Sequence, residues 1–175
     1  ALARSIIKKE LGKYPEELFA EFDSEAIAAA SIGQVHKARL KNGQKVAVKI
    51  QYPNVRSTIH SDMAMAKTLM NRIVKGGANL DEYFDEVEST LMEETDYQQE
   101  AKYLKYFHDR FSNKNIITPK CIKELSTKKV LTMTFIEGTH LKEFLAENPS
   151  KEKRNYFGQL LWDFFHDQVE QRDFI

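Results

Sequence analysis

An Asn-Gly pair, Asn42-Gly43, separates two short runs of alternating hydrophobicity, and this feature narrows what the chain can fold into more than any other. A type I′ turn needs positive φ at both central positions, which asparagine and glycine tolerate, so residues 35–40 and 45–51 are predicted to pair as an antiparallel hairpin. A further strand is predicted at 27–31, and Pro53 ends the last of the three. The period then changes. Val55, Ile59, Met63, Ala66, Met70 and Ile73 recur every three or four residues, predicting an amphipathic helix from 54 to about 75 that Gly76-Gly77 stops. Asn79 with Glu82 makes a capping box that opens a second long helix, reaching about 110. Strands at about 121–126 and 129–136, a short helix at 140–146 and a last helix from 150 complete the order. Ahead of the sheet, Leu2, Ile6, Ile7 and Leu11 mark a helix that Gly12 caps, and a brief helical turn follows Pro15.

Strands grouped together, with helices inserted rather than strictly alternating, predict an α+β fold with a five-stranded, mostly antiparallel sheet. At 175 residues and 20.3 kDa the chain is one domain or part of one. It begins without Met and stops on Phe174-Ile175 with no helix-stop chemistry, so it is expected to be a piece of a longer protein. Lys plus Arg and Asp plus Glu each number 26, which leaves no net field to hold a polyanion, and nucleic acid is not an expected partner. With 42% hydrophobic and 30% charged residues the balance is that of a folded domain. A lone cysteine, Cys121, excludes an internal disulfide and favours a reducing, cytoplasmic setting. The longest nearly pure apolar run, 26–30 with Ile32 beyond, falls far short of the roughly 18 residues that span a bilayer.

Three places carry polar groups that need explaining. On the strand Val46-Ala47-Val48-Lys49-Ile50 the period of two puts Ala47 and Lys49 on one face. A tiny residue beside an ammonium suits a flat ring lying on the sheet with its phosphates reaching the lysine; an edge-strand lysine facing water fits the same pattern. On the second long helix, Glu94 and Glu100 lie roughly 60° to either side of Tyr97, bordering the apolar stripe of Tyr97, Ala101, Leu104 and Phe111. Each then needs a cation or donor, Lys49 among them, unless both angle out to solvent with Glu93 and Asp96. The segment Ala28-Ala29-Ala30-Ser31-Ile32-Gly33-Gln34-Val35 joins the first two strands. Its backbone N–H groups and the Ser31 hydroxyl can cradle phosphate, yet it lacks the Walker and G-x-G-x-x-G patterns and also reads as an alanine-rich strand entry. His36, His60, His108, His140 and His166 show no metal-ligand spacing, Asp163, His166 and Asp167 read as an exposed helix face, and no G-x-S-x-G elbow exists. The five methionines read as core packing.

Taken together, AAASIGQVH at 28–36, VAVKIQYPNV at 46–55 and EETDYQQEA at 93–101 closely resemble the UbiB/AarF-type atypical kinase-like family, over residues 20–175. The resemblance implies a protein-kinase-like N-lobe with two long inserted helices, a hinge and the first helices of a C-lobe. It divides the chain into an N-terminal helical extension at 1–20, the N-lobe at 21–136, and the hinge exit with the start of the C-lobe at 137–175. It implies that Ala28, Ala29, Ala30 and Ser31 form an alanine-rich loop in place of a glycine-rich one, that Lys49 meets the α and β phosphates of ATP or ADP, and that Glu100 is the partner of Lys49. Ile27, Val35 and Ala47 also fall to the nucleotide, Met133 is the implied gatekeeper, and Thr134, Phe135, Ile136 and Glu137 are the implied hinge. Glu94 and Asp96 match the family's E-x-D motif. Lys41-Asn42-Gly43-Gln44 matches the family's K-x-G-Q string, but its place in a hairpin turn makes the match a coincidence.

The implied activity is that of an atypical kinase or ATPase with magnesium, tied to isoprenoid quinone biosynthesis or lipid homeostasis. A lipid or quinone precursor and peripheral association with a membrane are implied for the whole protein. The catalytic aspartate and the magnesium ligands are expected beyond Ile175, so this chain alone is expected to be inactive. A regulatory pseudokinase module that binds nucleotide or lipid is the alternative, favoured by the missing glycines. A membrane-surface docking domain lacks the basic amphipathic face it would need.

Overall fold

The computed structural model describes residues 2–73, 80–111 and 115–170. Gly76-Gly77, Asn79 and Phe174-Ile175, invoked above for a helix stop, a capping box and the chain end, lie outside the described residues.

Four strands form one antiparallel sheet in the order β1-β2-β3-β4, with β1 at Phe19–Ala30, β2 at Gly33–Leu40, β3 at Lys45–Gln51 and β4 at Val130–Thr134. The β2–β3 hairpin forms where Asn42-Gly43 places it, though with a different turn. Gly43 has φ 87°, Asn42 keeps a negative φ, and the N–H of Gly43 donates to the Leu40 carbonyl at 2.9 Å. A type I turn followed by one left-handed glycine therefore replaces type I′. The side chain of Asn42 is spent on the loop itself, accepting from the N–H of Gln44 at 3.0 Å.

Two further expectations need correction. The first strand begins at Phe19 rather than Ile27, because the exposed polar run through Glu21, Asp23, Ser24 and Glu25 pairs as an edge strand with register shifts between Phe22 and Ala26. The sheet has four strands rather than five. Cys121 makes one bridge to Met133, and a 3₁₀ turn at Lys123–Leu125 then carries the chain away from β4. Ser126 fixes that departure: its Oγ donates to the Ile122 carbonyl at 2.8 Å and accepts from the N–H of Thr132 at 3.0 Å.

The two faces of the sheet bury different partners. Val46, Val48 and Ile50 join Ala3, Ile7 and Phe19 in one core, roofed by α1 (Leu2–Leu11) and followed by the single turn α2 (Pro15–Leu18). A ten-residue helix is marginal alone, so α1 is held by packing. Ile7, with no exposed surface, contributes about 2–3 kcal/mol to it. On the opposite face Leu131 and Met133 meet Tyr97, Ala101 and Leu104.

The helix expected over 79–110 is two helices, α4 (Leu80–Glu94) and α5 (Tyr97–Phe111). The break at Thr95-Asp96 has side-chain causes. Thr95 Oγ1 donates back to the Met92 carbonyl at 2.6 Å, and Asp96 Oδ1 accepts from the N–H of Gln98 at 3.0 Å, opening α5. The N–H of Tyr97 leaves the helix to reach the Lys128 carbonyl at 3.1 Å. Helix α3 (Val55–Ile73) runs antiparallel beside α4, joined by His60 with Glu88 at 2.7 Å and by Lys67 with Asp85 at 3.1 Å. Of the methionines, Met65 is exposed on α3 rather than packed. After β4 come α6 (Leu141–Ala146) and α7 (Lys151–Glu170), the latter setting Phe164 edge-on against Phe111 with ring centres 4.9 Å apart. His166 and Asp167 of α7 are half-buried rather than exposed.

Candidate functional site

The antiparallel register puts Ala28, Val35, Lys49 and Leu131 in one cross-strand row, and Lys37, Ala47 and Met133 in the next row on the same face. This is the face that α5 covers. Lys49 is therefore not an edge lysine reaching into water. Its Nζ donates to both carboxylate oxygens of Glu100, at 2.9 and 2.7 Å, and its side chain keeps one fifth of its surface exposed. The ammonium also stands 4.8 Å from the ring centre of Tyr97.

Tyr97 is the residue that sequence reasoning left as mere packing. It is 1% exposed, and its phenol oxygen has no hydrogen-bond partner among the described residues. Burial first, then the nearby carboxylates of Glu100 and Glu94, push its pKa well above the ordinary tyrosine value. The phenol oxygen occupies space that only a glycine opposite permits: a Cβ on Gly33 would lie 2.9 Å from it and 2.3 Å from the Ile50 carbonyl oxygen. A glycine at a strand start was the available signal for such a close approach.

The alanine-rich segment is a tight connection. Ala30 pairs with Gly33, leaving Ser31-Ile32 as the turn, while Ile27, Ala28 and Ala29 stay exposed along β1. Ser31 Oγ donates to Glu94 Oε2 at 3.0 Å, so the turn is tied to the end of α4. Glu94 and Glu100, expected on one helix, instead stand on either side of the Thr95-Asp96 break and face different partners. Asp96 lies 3.8 Å from Lys128. Beneath the break, Gln51 Nε2 donates to the Thr95 carbonyl at 2.9 Å, a buried bond from β3 that holds the ends of α4 and α5 to the sheet.

Past Met133 the chain leaves the sheet through Thr134, Phe135, Ile136 and Glu137. The N–H of Thr134 donates to the Lys120 carbonyl at 2.9 Å and that of Phe135 to the Lys45 carbonyl at 3.1 Å. Lys37 sits 4.9 Å from the Phe135 ring centre, and Lys45 pairs with Glu137, whose carboxyl is held below its usual range by that hydrogen bond. The exit segment is thus pinned to β2 and β3. The backbone N–H groups of Ile136 and Glu137 have no partner among the described residues.

A four-stranded antiparallel sheet, a helix packed on one face, a strand lysine paired with a glutamate of that helix, and an exit from the last strand pinned back to the sheet together define a kinase-like N-terminal lobe. A family profile for the ABC1 atypical kinase-like domain matches residues 1–175, and the chain belongs to this family, the UbiB/AarF group of atypical kinases. It is 35% identical over 157 residues to the mitochondrial atypical kinase COQ8 of Saccharomyces cerevisiae, covering 88% of this chain and 31% of that protein. It is 40% identical over 147 residues to a chloroplastic aarF domain-containing protein kinase of Arabidopsis thaliana, covering 81% of this chain and 21% of that one. Among solved structures, the complex of Rv3197 with erythromycin from Mycobacterium tuberculosis superposes with a TM-score of 0.79 at 29% identity, over 96% of this chain and 43% of that one. The chain thus spans less than a third of the length of these two curated relatives. Among the described residues no helix is long and apolar enough to cross a membrane.

Proposed function

We propose that this chain is the nucleotide-holding lobe of an ATP-dependent atypical kinase or ATPase. The observation that carries the reading is the two-pronged hydrogen bond from Lys49 to Glu100. An ammonium has three N–H donors; Glu100 takes two, so one remains for a phosphate oxygen. Glu100 fixes the lysine's direction before any ligand arrives, which lowers the ordering cost of binding. Ala47, one register row away on the same face, leaves room for a flat base on the sheet. The N–H groups of Ile136 and Glu137, without a partner among the described residues, are suited to meet the base's edge, with Met133, Thr134 and Phe135 shaping its end of the cleft. Ala28, Ala29, Ala30 and Ser31 lie over the phosphates, and Ile27 and Val35 line the approach.

In this reading residues 1–20 are a helical extension, 21–136 the lobe, and 137–175 the exit toward a helical lobe. ATP, when bound, would supply the phosphoryl group, leaving ADP in the same site. Magnesium accompanies its phosphates, with protein ligands expected beyond Ile175. A role of the whole protein in isoprenoid quinone biosynthesis or lipid homeostasis, with a lipid or quinone precursor as partner and peripheral membrane association, is what the resemblance to the UbiB/AarF family implies. Calorimetric titration with ATP and ADP tests the nucleotide assignment: binding by the wild-type chain that Lys49→Ala abolishes or weakens supports it, and equal affinity in both removes Lys49 from the site.

A further inference from the structure

On the side of α5 away from Glu100, a groove of about 800 Å³ runs between that helix and the segment 120–127. Its two walls carry the same charge. Lys102 and Lys105 rise from α5, and Lys120 and Lys123 stand on the facing segment. Among the described lining residues the acid is Asp109, which is already paired with Lys105 and lies within the field of His108 and Lys120, so its carboxyl is held below the usual range; just outside the lining, Glu10 accepts from the Thr127 hydroxyl at 2.9 Å. Among the less exposed lining residues are Ala101, Cys121 and the ring of Tyr97, which give the groove an apolar patch, with Ser126 and Thr127 beside it. In a chain whose formal net charge is zero, four lysines gathered on the walls of one groove are a local excess.

We propose that this groove is a docking site for an acidic polypeptide segment, one that inserts an apolar side chain onto Ala101 and Cys121 while its carboxylates meet the lysines of both walls. Charge complementarity selects the sign of the partner, and shape selects its class. A flat bilayer surface reaches the rim of a concave site but not opposed walls and a floor at once, whereas a helix or extended peptide can lie within it. A duplex or single strand of nucleic acid would need a longer cationic track and exposed stacking rings, and the one tyrosine in this lining, Tyr97, is only 1% exposed. The site is independent of the nucleotide reading, since none of its lining residues is assigned to nucleotide.

The test is fluorescence anisotropy of the full chain with a labelled peptide of about twelve residues in which Asp and Glu alternate with Leu, against the same peptide carrying Lys and Arg for the acids. The acidic peptide is expected to bind, to weaken as salt rises, and to lose about tenfold or more in affinity to Lys120→Glu/Lys123→Glu and to Lys102→Glu alike. On the wild-type chain, peptide is expected to slow amide exchange within 98–109 and 120–127, which keeps the test decisive should a charge-reversed variant fold poorly. Equal binding of the acidic and basic peptides, no protection of those segments, or lysine-dependent binding of phosphatidylserine vesicles without binding of the peptide would each overturn the proposal. Nucleotide affinity measured on the same variants separates the two sites: it is expected to hold in the groove variants, and Lys49→Ala is expected to leave peptide binding unchanged.

Discussion

Lys49 and Glu100, 51 residues apart in sequence, meet through two hydrogen bonds of 2.9 and 2.7 Å on the helix-covered face of the sheet. Lys49→Ala is expected to weaken ATP and ADP binding by about 10- to 100-fold, the worth of a charge-assisted hydrogen bond to phosphate. Unfolding free energy should change by less than about 2 kcal/mol, because Glu100 keeps enough exposure to be hydrated once its partner is gone. Calorimetry and urea unfolding on the same preparation separate the two effects.

Gly33→Ala should be far more damaging than its size suggests. The added methyl would stand 2.3 Å from a backbone oxygen that cannot step aside, so a loss of about 2–4 kcal/mol is expected in urea titrations. Gly43→Ala, with open space around it but a φ of 87°, should cost only about 1 kcal/mol. A smaller loss at Gly33 than at Gly43 would contradict the close approach described here.

Tyr97→Phe removes a buried hydroxyl that has no partner among the described residues, so stability at neutral pH is expected to hold or rise by up to about 1–2 kcal/mol. The pH dependence has a definite sign. The folded-state pKa of Tyr97 is raised above the ordinary 10.0, so the unfolded chain loses this proton first and stability falls as pH climbs past 10.0. The phenylalanine variant should show a shallower fall above that pH in denaturant midpoints, and parallel curves for the two proteins would count against it.

Ser31→Ala and Glu94→Gln each weaken an exposed hydrogen bond, so either should change stability by less than about 1 kcal/mol while speeding amide exchange at 28–33. Ala30→Gly, by removing a methyl from the turn, should shift the ratio of ATP to ADP affinity. A ratio that does not move would take the alanine lip out of nucleotide selection.

The hairpin at 35–51 was legible because alternation and turn residues agree, whereas the charge pattern left Lys49 and Glu100 as either partners or solvent-facing groups, and the family resemblance singled out the pair. The start of β1 was not legible: Glu21, Asp23, Ser24 and Glu25 form an exposed edge strand whose partner, rather than its own pattern, decides its state. The break between α4 and α5 was hidden because Thr95-Asp96 contains neither glycine nor proline and the apolar spacing runs through it. What stops the helix there is local side-chain capping by Thr95 and Asp96, reinforced by a tertiary backbone bond from Tyr97 to Lys128. The fifth strand failed for a similar reason, since Ser126 diverts a segment whose local composition favours pairing.

The antiparallel pair α3 and α4 fills most of the sequence between Lys49 and Glu100, and contacts within it are local. Once that pair has zipped up, its two ends stand side by side, and the stretch still to be closed is nearer a dozen residues than fifty. By loop-closure scaling the shortened connection saves about 1 kcal/mol of chain entropy when α5 swings onto the sheet. The excursion between the two halves of the cleft thus shortens the effective tether between two charges that the sequence holds far apart.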